Sequence, residues 1–315
     1  MQLGLVKYLE LLLTAAIWGF AFVAQRKGSE SLDPFLFNGL RFSLGALSIL
    51  LLRWIWKQKE QTGRPEESVR LYAGRSFLNR FRPHLALGLL LFVAASLQQV
   101  GIIWTSAGSA GFITGLYVVF VPVIGLLRGQ SLDRRMAIAV VVAVAGLYLI
   151  NSGASLDATL GNALVLASAV FWALHVQMID KLTRHHPSLD LALAQFSVCA
   201  LLSLLSGFFY HLFLESGYLV SFDLLWNIQR ALLPILYGGL MSVGIAYTLQ
   251  IHAQKKVLPH QASLILCLEG AFAMLGGYLL LQERVSPTAL VGALLLLTAM
   301  LISVLKRSVP AIRSF

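Results

Sequence analysis

Charged side chains are scarce in this sequence. Asp, Glu, Lys and Arg together make up 12% of its 315 residues, whereas 58% are hydrophobic. Soluble domains contain about 25% charged residues, and one of this length could not bury so much apolar surface. The composition therefore excludes an ordinary soluble protein. It predicts an all-α integral membrane protein whose solvent is lipid.

Cysteine and enzyme motifs are also scarce or absent. Cys199 and Cys267 are the only cysteines, and both lie in apolar segments, where a thiol packs as a small hydrophobic side chain. We expect no disulfide, no metal site and no cofactor. The sequence has no His-Glu-x-x-His motif, no phosphate-binding loop and no close carboxylate pair at membrane depth. An intramembrane enzyme is therefore the weaker alternative, and no catalytic residue is assigned.

Apolar segments of spanning length are what the sequence has in abundance. A transmembrane helix needs about 20 apolar residues. Pro34, Pro83, Pro259 and Pro287 stand where helices are expected to begin, since a first turn tolerates a missing N–H. Ten segments are predicted, at 7–25, 34–55, 84–104, 108–128, 135–152, 160–181, 189–212, 230–253, 260–282 and 287–305.

Basic residues are divided unequally between the connections. With the N-terminus inside, 19 Lys and Arg residues fall on the cytoplasmic side and four on the other. Basic residues favour cytoplasmic loops, so this split predicts a cytoplasmic (inner) membrane protein with both termini in the cytoplasm. The net charge of +10 is thus a sign of topology and not of nucleic-acid binding. The polar loop 57–82 is either a solvated linker or a contact for anionic lipid headgroups.

The chain repeats itself at an offset of about 154 residues. The predicted repeats are 1–153 and 154–315, with five helices each. Because five is odd, the second repeat enters the membrane from the opposite side, which is the construction of many transporters. The matching stretches are Thr14 to Trp18 with Ser168 to Trp172, Arg41 to Leu47 with Gln195 to Leu201, and Ala110 to Arg135 with Ala262 to Thr288. The last pair has an offset of 152 or 153, so one small gap separates the halves.

Glu269 is the acidic residue in the least expected place. It is the only charge in the twenty residues from Ala262 to Leu281, which would span roughly 30 Å as one continuous helix. An acidic side chain at the centre of such a helix costs about 2.5–3.5 kcal/mol. We expect the carboxyl group to face a cavity or a partner and not lipid. The alternative is a protonated glutamate that packs against a neighbouring helix.

Two tryptophans occupy equivalent positions in the repeats. Trp18 and Trp172 lie near the middle of their segments, with polar or small residues at helical spacing on the same face. Two such faces predict an aromatic-walled cavity for a planar or cationic solute, although tryptophan also serves as an interfacial anchor or packing residue. The neighbours on these faces are Thr14, Ala21 and Gln25 in the first repeat, and Ser168 and His175 in the second.

Four more polar side chains complete the predicted site. Arg41 either forms a structural pair near the outer mouth or contacts a substrate carboxylate. His175 either titrates near neutral pH or is a neutral, hydrogen-bonded core residue. Gln99 and Tyr247 either line the route or hydrogen-bond across helices.

Several short motifs carry a family resemblance. They are Ala-Ala-Ile-Trp18-Gly in the first segment, Leu-Glu269-Gly-Ala-Phe in the ninth, and Leu-Gln-Glu283-Arg at its end. With the tandem repeats, the sequence resembles the EamA family of the drug/metabolite transporter superfamily over residues 8–305. The resemblance implies ten helices around a central cavity, alternating access by rocking of the halves, and export of amino acids or other small metabolites.

Two departures from the family pattern concern the acidic positions. The family's Leu-Glu-Pro signature is replaced here by Leu-Glu269-Gly270, and the fourth segment closes as Gly129-Gln130 without an acid. A role of Glu283, the acid at the end of the ninth segment, therefore cannot be assumed for the first repeat.

The sequence thus predicts a secondary transporter that exports small metabolites, such as amino acids or drug-like solutes, by alternating access. Glu269 is the expected coupling residue, exchanging a proton as the cavity opens to either side. A facilitative uniporter of the same solutes is the main alternative. The expected partners are a small-molecule solute and membrane lipids, and the unit is either a monomer or a homodimer.

Overall fold

The chain is described by a computed structural model at residues 2–60, 77–151, 159–214 and 222–304. Every regular element in these ranges is a helix, and none is a strand. The helices are α1 (Gln2–Gly28), α2 (Pro34–Glu60), α3 (Phe77–Gly101), α4 (Ala107–Gly115), α5 (Tyr117–Leu127), α6 (Arg134–Asn151), α7 (Thr159–Leu182), α8 (Ser188–Leu214), α9 (Phe222–Arg230), α10 (Leu232–Leu236), the π-helix Tyr237–Ala246, α11 (Tyr247–Gln254), α12 (Pro259–Leu266), α13 (Glu269–Leu281) and α14 (Pro287–Val304).

Eight helical spans among the described residues are long and apolar enough to cross a bilayer. They confirm the all-α, multi-pass membrane class. Residues Pro287–Ile302 of α14 form a shorter apolar helix, and α6 is not among the eight, so the count of ten stays a prediction. The eight spans are Leu5–Gly28, Pro34–Ile55, Arg82–Gly101, Ala107–Leu127, Leu160–Leu182, Ser188–Phe213, Leu232–Gln254 and Pro259–Leu281.

Proline marks three of the four predicted helix starts. Pro34, Pro259 and Pro287 are the first residues of α2, α12 and α14, because the first turn of a helix needs no N–H donor from that position. The prediction for Pro83 is wrong. This proline lies inside α3, which begins six residues earlier at Phe77 in a polar stretch that hydropathy does not detect.

Two predicted features fall on parts of the chain that the structure does not describe. The boundary between the repeats, at residues 153 and 154, lies outside the described residues, as do residues 61–76 of the predicted loop 57–82.

The predicted fourth segment consists of two helices in series. Helix α4 ends at Gly115 and α5 begins at Tyr117. At the break the Leu116 N–H donates to the Ile113 carbonyl oxygen at 3.2 Å, a bond to the third residue back as in a 3₁₀ turn. The break places Tyr117 at the start of a new helix in the middle of the span.

The predicted ninth segment is interrupted in the same way. Helix α12 ends at Leu266 and α13 begins at Glu269. The Leu268 N–H donates to the Ile265 carbonyl oxygen, again at 3.2 Å and again to the third residue back. The expectation of one continuous helix around Glu269 is therefore wrong, because the backbone tightens locally just before that residue.

The segment Tyr237–Ala246 is a ten-residue π-helix between α10 and α11. Most π-helical stretches are single-turn bulges and are frequent at functional sites. Small residues let this one approach α2 closely. A Cβ atom added at Gly239 would meet the side chain of Leu44, and one added at Gly45 would meet Val243.

Helix pairs surround the centre of the bundle. Helix α2 packs against α8, α6 against α14, α3 against α7, and α1 against α13. Helix α1 also contacts the π-helix and α11, while α7 contacts α4 and α5. The interrupted spans and the π-helix therefore meet α1 and α7 in the interior of the molecule.

Substitution of Gly19 in α1 tests the close packing of α1 on α13. A Cβ atom there would collide with the Glu269 carbonyl oxygen and the Ala273 amide nitrogen, which are backbone atoms and cannot rotate away. We expect Gly19→Val to lower stability by about 1–3 kcal/mol, as overpacking does elsewhere. Thermal unfolding in detergent measures the effect. Leu13→Val, at a side chain that is 52% exposed on the same helix, should leave the midpoint unchanged.

A Gly19→Val midpoint equal to that of Leu13→Val would contradict the close contact between α1 and α13.

Candidate functional site

A cavity lies where the interrupted spans meet α1 and α7. Its empty volume is about 480 Å³, including its opening, which is in the range of small-molecule sites of about 300–1,000 Å³. Five of the seven residues predicted for the site line it. They are Trp18, Arg41, Trp172, Tyr247 and Glu269.

Aromatic rings form one wall of the cavity, with Tyr247 at its centre. The Tyr247 ring centroid lies 4.7 Å from that of Trp18, 5.7 Å from that of Phe196 and 6.1 Å from that of Trp172. These separations are typical of favourable aromatic pairs. The Trp18 indole N–H donates to the Ser242 carbonyl oxygen of the π-helix at 3.3 Å. The wall is therefore held in place before any solute arrives.

Arg41 brings a positive charge to the cavity. Its side chain is only 3% exposed, and its Nε–H donates to Asn38 Oδ1 at 2.9 Å. Asn38 in turn donates from Nδ2 to the Ala95 carbonyl oxygen at 3.1 Å, which fixes the pair against α3. The guanidinium carbon lies 4.9 Å from the centroid of the Phe42 ring, a cation–π distance. No ion pair with an acidic residue involves Arg41 among the described residues, so its charge is available to an anionic group.

Glu269 brings the acidic group. It is the first residue of α13 and is 3% exposed, so the helix break delivers its carboxyl group into the interior. A helix N-terminus has free N–H groups and the positive end of the helix dipole, which favour a carboxylate nearby. Tyr117, the first residue of α5, lines the same cavity.

His175 and Gln99 are not among the residues that line the cavity. His175 is fully buried, its Nε2 lies 2.7 Å from Gln195 Oε1, and its ring centroid is 5.8 Å from that of Trp172. Gln99 donates from Nε2 to the Gln25 carbonyl oxygen at 3.1 Å and to Ser29 Oγ at 2.8 Å. His175 thus supports the aromatic wall, while Gln99 ties α3 to the end of α1.

The cavity also contains residues that were not predicted for it. Tyr117, Thr114 and Ser242 contribute to its lining. Tyr117 could have been predicted from the repeat, since the offset of 152 residues makes it the counterpart of Glu269. Thr114 and Ser242 carry no such signal, because small hydroxyl residues are frequent wherever helices pack in membranes.

Several polar atoms of the lining lack a hydrogen-bond partner within the part of the chain that the structure describes. Buried polar groups are normally paired, so these atoms can accept or donate bonds to a solute or to water. They are Gln25 Oε1, Tyr117 Oη, Trp172 Nε1, Gln250 Oε1 and Glu269 Oε1. Across residues 2–60, 77–151, 159–214 and 222–304, no group of three or more His, Cys, Asp or Glu could hold a metal ion.

Known proteins resemble this chain over nearly its full length. An uncharacterized transporter of Archaeoglobus fulgidus is 28% identical over 295 residues, which is 93% of this chain and 84% of the relative. The uncharacterized transporter YoaV of Bacillus subtilis is 23% identical over 293 residues, covering 89% and 90% of the two chains. A chain of known crystal structure has the same fold, with a TM-score of 0.66 and 18% identity over 95% of this chain and 96% of that one.

The family comparison is more specific. The model of the EamA-like transporter family matches the chain twice, at residues 6–152 and 159–305. The two matches cover almost the entire sequence and confirm the resemblance derived from the motifs. The chain therefore belongs to the EamA-like transporter family, and the protein is a transporter and not an enzyme.

Proposed function

We propose that the protein is a secondary transporter that exports small zwitterionic metabolites, such as amino acids, across the cytoplasmic membrane by alternating access. The observation that carries this proposal is that a buried cation, Arg41, and a buried acid, Glu269, both line one cavity.

The two charged groups suit opposite ends of one solute. No ion pair joins Arg41 to Glu269 among the described contacts, so each is free to bind a solute group of opposite charge. A guanidinium group binds a carboxylate through charge-assisted hydrogen bonds, and a carboxylate binds an ammonium group. The rings of Trp18, Trp172 and Tyr247 share the same cavity, where they can contact an apolar or cationic side chain. A solute with a carboxylate, an ammonium group and an apolar part meets all three requirements.

We also propose ten membrane helices arranged as two inverted halves, with α6 and α14 added to the eight spans. The packing partners support a two-fold relation. Helix α3 packs against α7, and the corresponding π-helix and α11 pack against α1. Helix α1 packs against α13, and α7 against α4 and α5. The pairs α2–α8 and α6–α14 join elements that correspond to each other, as an axis between the halves requires.

Glycine contacts support the same relation at the level of single residues. A Cβ atom added at Gly88 of α3 would meet the side chain of Val198 on α8. One added at Gly239 of the π-helix would meet Leu44 on α2. Leu44 and Val198 differ by 154 residues, the offset of the repeat, so the two contacts are counterparts.

The π-helix then accommodates one extra residue in the second half. Ten positions separate Gly88 from Gln98, whereas eleven separate Gly239 from Gln250. Gln98 and Gln250 both line the cavity. Because a π-helix has more residues per turn than an α-helix, it takes up the additional residue and leaves both glutamines at the cavity.

Glu269 is the proposed coupling residue. A carboxyl group at membrane depth is stabilised by a proton or by a cationic solute, so binding one can release the other. Proton entry from outside would then drive the solute out. The 19-to-4 distribution of basic residues supports cytoplasmic termini and hence this orientation.

Flux through purified protein in liposomes tests the transport proposal. We expect saturable flux of at least one radiolabelled amino acid, accelerated by an imposed pH gradient. Glu269→Gln should remove the response to the gradient, because the amide cannot exchange a proton. The control is Glu30→Gln, at an exposed glutamate that pairs with Lys27 on the surface.

Flux that is independent of the gradient and equal in the Glu269→Gln variant would instead indicate a facilitative uniporter. Absence of flux for every amino acid would contradict the proposed solute class.

Arg41 is expected to set the preference for a carboxylate. A hydrogen bond to a charged group contributes about 1.5–3 kcal/mol, so Arg41→Gln should raise the KM for an amino acid about 10-fold or more. The KM for the decarboxylated amine of the same solute should change little, since this amine has no carboxylate to contact the guanidinium group. Competition by the acid and by the amine, measured in both proteins, gives the comparison. An equal effect of the substitution on both compounds would contradict the assignment.

A further inference from the structure

Gln98 and Gln250 are counterparts in the two halves, and both line the cavity. Their numbers differ by 152, the offset that also relates Thr114 to Leu266. In the second half the π-helix takes up one additional residue, so Gln250 reaches the cavity as Gln98 does in the first half. The fold therefore delivers one carboxamide group from each half to the same space.

The two carboxamide groups differ in their hydrogen bonds. Gln98 donates from Nε2 to Thr114 Oγ1 at 3.1 Å, so its amide group is held by a protein contact. The counterpart of Thr114 is Leu266, which also lines the cavity but has no hydroxyl group. Gln250 is only 1% exposed, and its Oε1 atom has no hydrogen-bond partner within the described ranges. One of the two amide groups is thus left for another molecule.

The missing partner of Gln250 Oε1 must be a hydrogen-bond donor. A buried carbonyl oxygen without a donor is unfavourable, so a solute that supplies an N–H group gains affinity there. Glu269 Oε1 and Gln25 Oε1 are acceptors of the same lining that also lack a partner in the described part of the chain. A primary ammonium group has three N–H donors and suits such a set of acceptors. Arg41 has donors alone and suits the carboxylate at the other end of the solute.

We propose that Gln250 is a specificity-determining residue whose amide oxygen accepts an N–H from the ammonium group of the solute. Glu269 attracts any cation, whereas Gln250 adds affinity only where the cation carries an N–H. A primary ammonium group is therefore preferred to a trimethylammonium group, which has the same charge and no N–H. This inference rests on the proposed transport of amino acids and defines which nitrogen group the site selects.

Binding to the purified protein in detergent tests the assignment. The standard amino acids are screened by the rise that they cause in the unfolding midpoint, and the tightest binder is compared with its N,N,N-trimethyl derivative. We expect Gln250→Met to raise the Kd of the amino acid about 10-fold or more, as loss of a hydrogen bond to a charged group does. The Kd of the trimethyl derivative should stay nearly unchanged, since it has no N–H to lose.

The matched control is Gln229→Met, the same change at an exposed glutamine of α9, which should alter neither Kd. An equal rise of both Kd values in Gln250→Met would overturn the proposal, because the amide group would then not distinguish the two nitrogen groups. Two unchanged Kd values would overturn it as well, since water would then be the partner of Gln250 Oε1.

Unfolding of the protein without solute separates this role from a structural one. Gln98→Met should lower the unfolding midpoint, because Thr114 loses its hydrogen-bond donor. Gln250→Met should leave the midpoint unchanged or raise it, because it removes a buried acceptor that lacks a protein partner. A fall in Gln250→Met as large as that in Gln98→Met, or failure of Gln250→Met to fold, would overturn the proposal.

Failure of the transport proposal gives a different result. If the unchanged protein binds none of the amino acids, the solute class of the proposed function is contradicted and this inference falls with it. If the unchanged protein binds an amino acid and Gln250→Met binds it equally well, this inference alone is overturned.

Discussion

The structure depends on the cost of placing charge inside a membrane. Glu269 and Arg41 are both buried, and each would be strongly unfavourable against lipid. The helices enclose both side chains, which line one cavity. Asn38 and the Phe42 ring contact the guanidinium group, while the carboxyl group belongs to the first residue of a helix. The packing around these two groups therefore supplies the contacts that stabilise buried charge.

The irregular backbone lies where these groups are needed. Two spans break just before Tyr117 and Glu269, and the π-helix carries Ser242 to the cavity. Non-helical or distorted backbone at membrane depth is tolerated only inside protein or beside a water-filled space. Gly19 permits the close approach of α1 to α13 at the second break. Both helix breaks and the π-helix therefore contribute residues to the cavity.

The sequence was sufficient for the all-α membrane class and for five of the residues that line the cavity. Hydropathy identified the eight spans, and helical spacing indicated that Trp18 and Trp172 line one cavity. The breaks before Tyr117 and Glu269 and the π-helix were not predicted, because a local change of hydrogen-bond register leaves hydropathy unchanged. His175 and Gln99 do not line the cavity, because helical spacing selects the face of a helix but not the depth of a side chain. Tyr117 could have been found by comparing the halves position by position.

Access to the cavity from both sides of the membrane is the central claim, and a single cysteine at Ser242 tests it most directly. Ser242 lines the cavity and is 3% exposed. In protein with Cys199 and Cys267 replaced by alanine, Ser242→Cys is treated with an impermeant thiol reagent on one side of the membrane at a time. Alternating access predicts modification from either side, slowed by a bound solute. Modification from one side only, under every condition, would contradict the account.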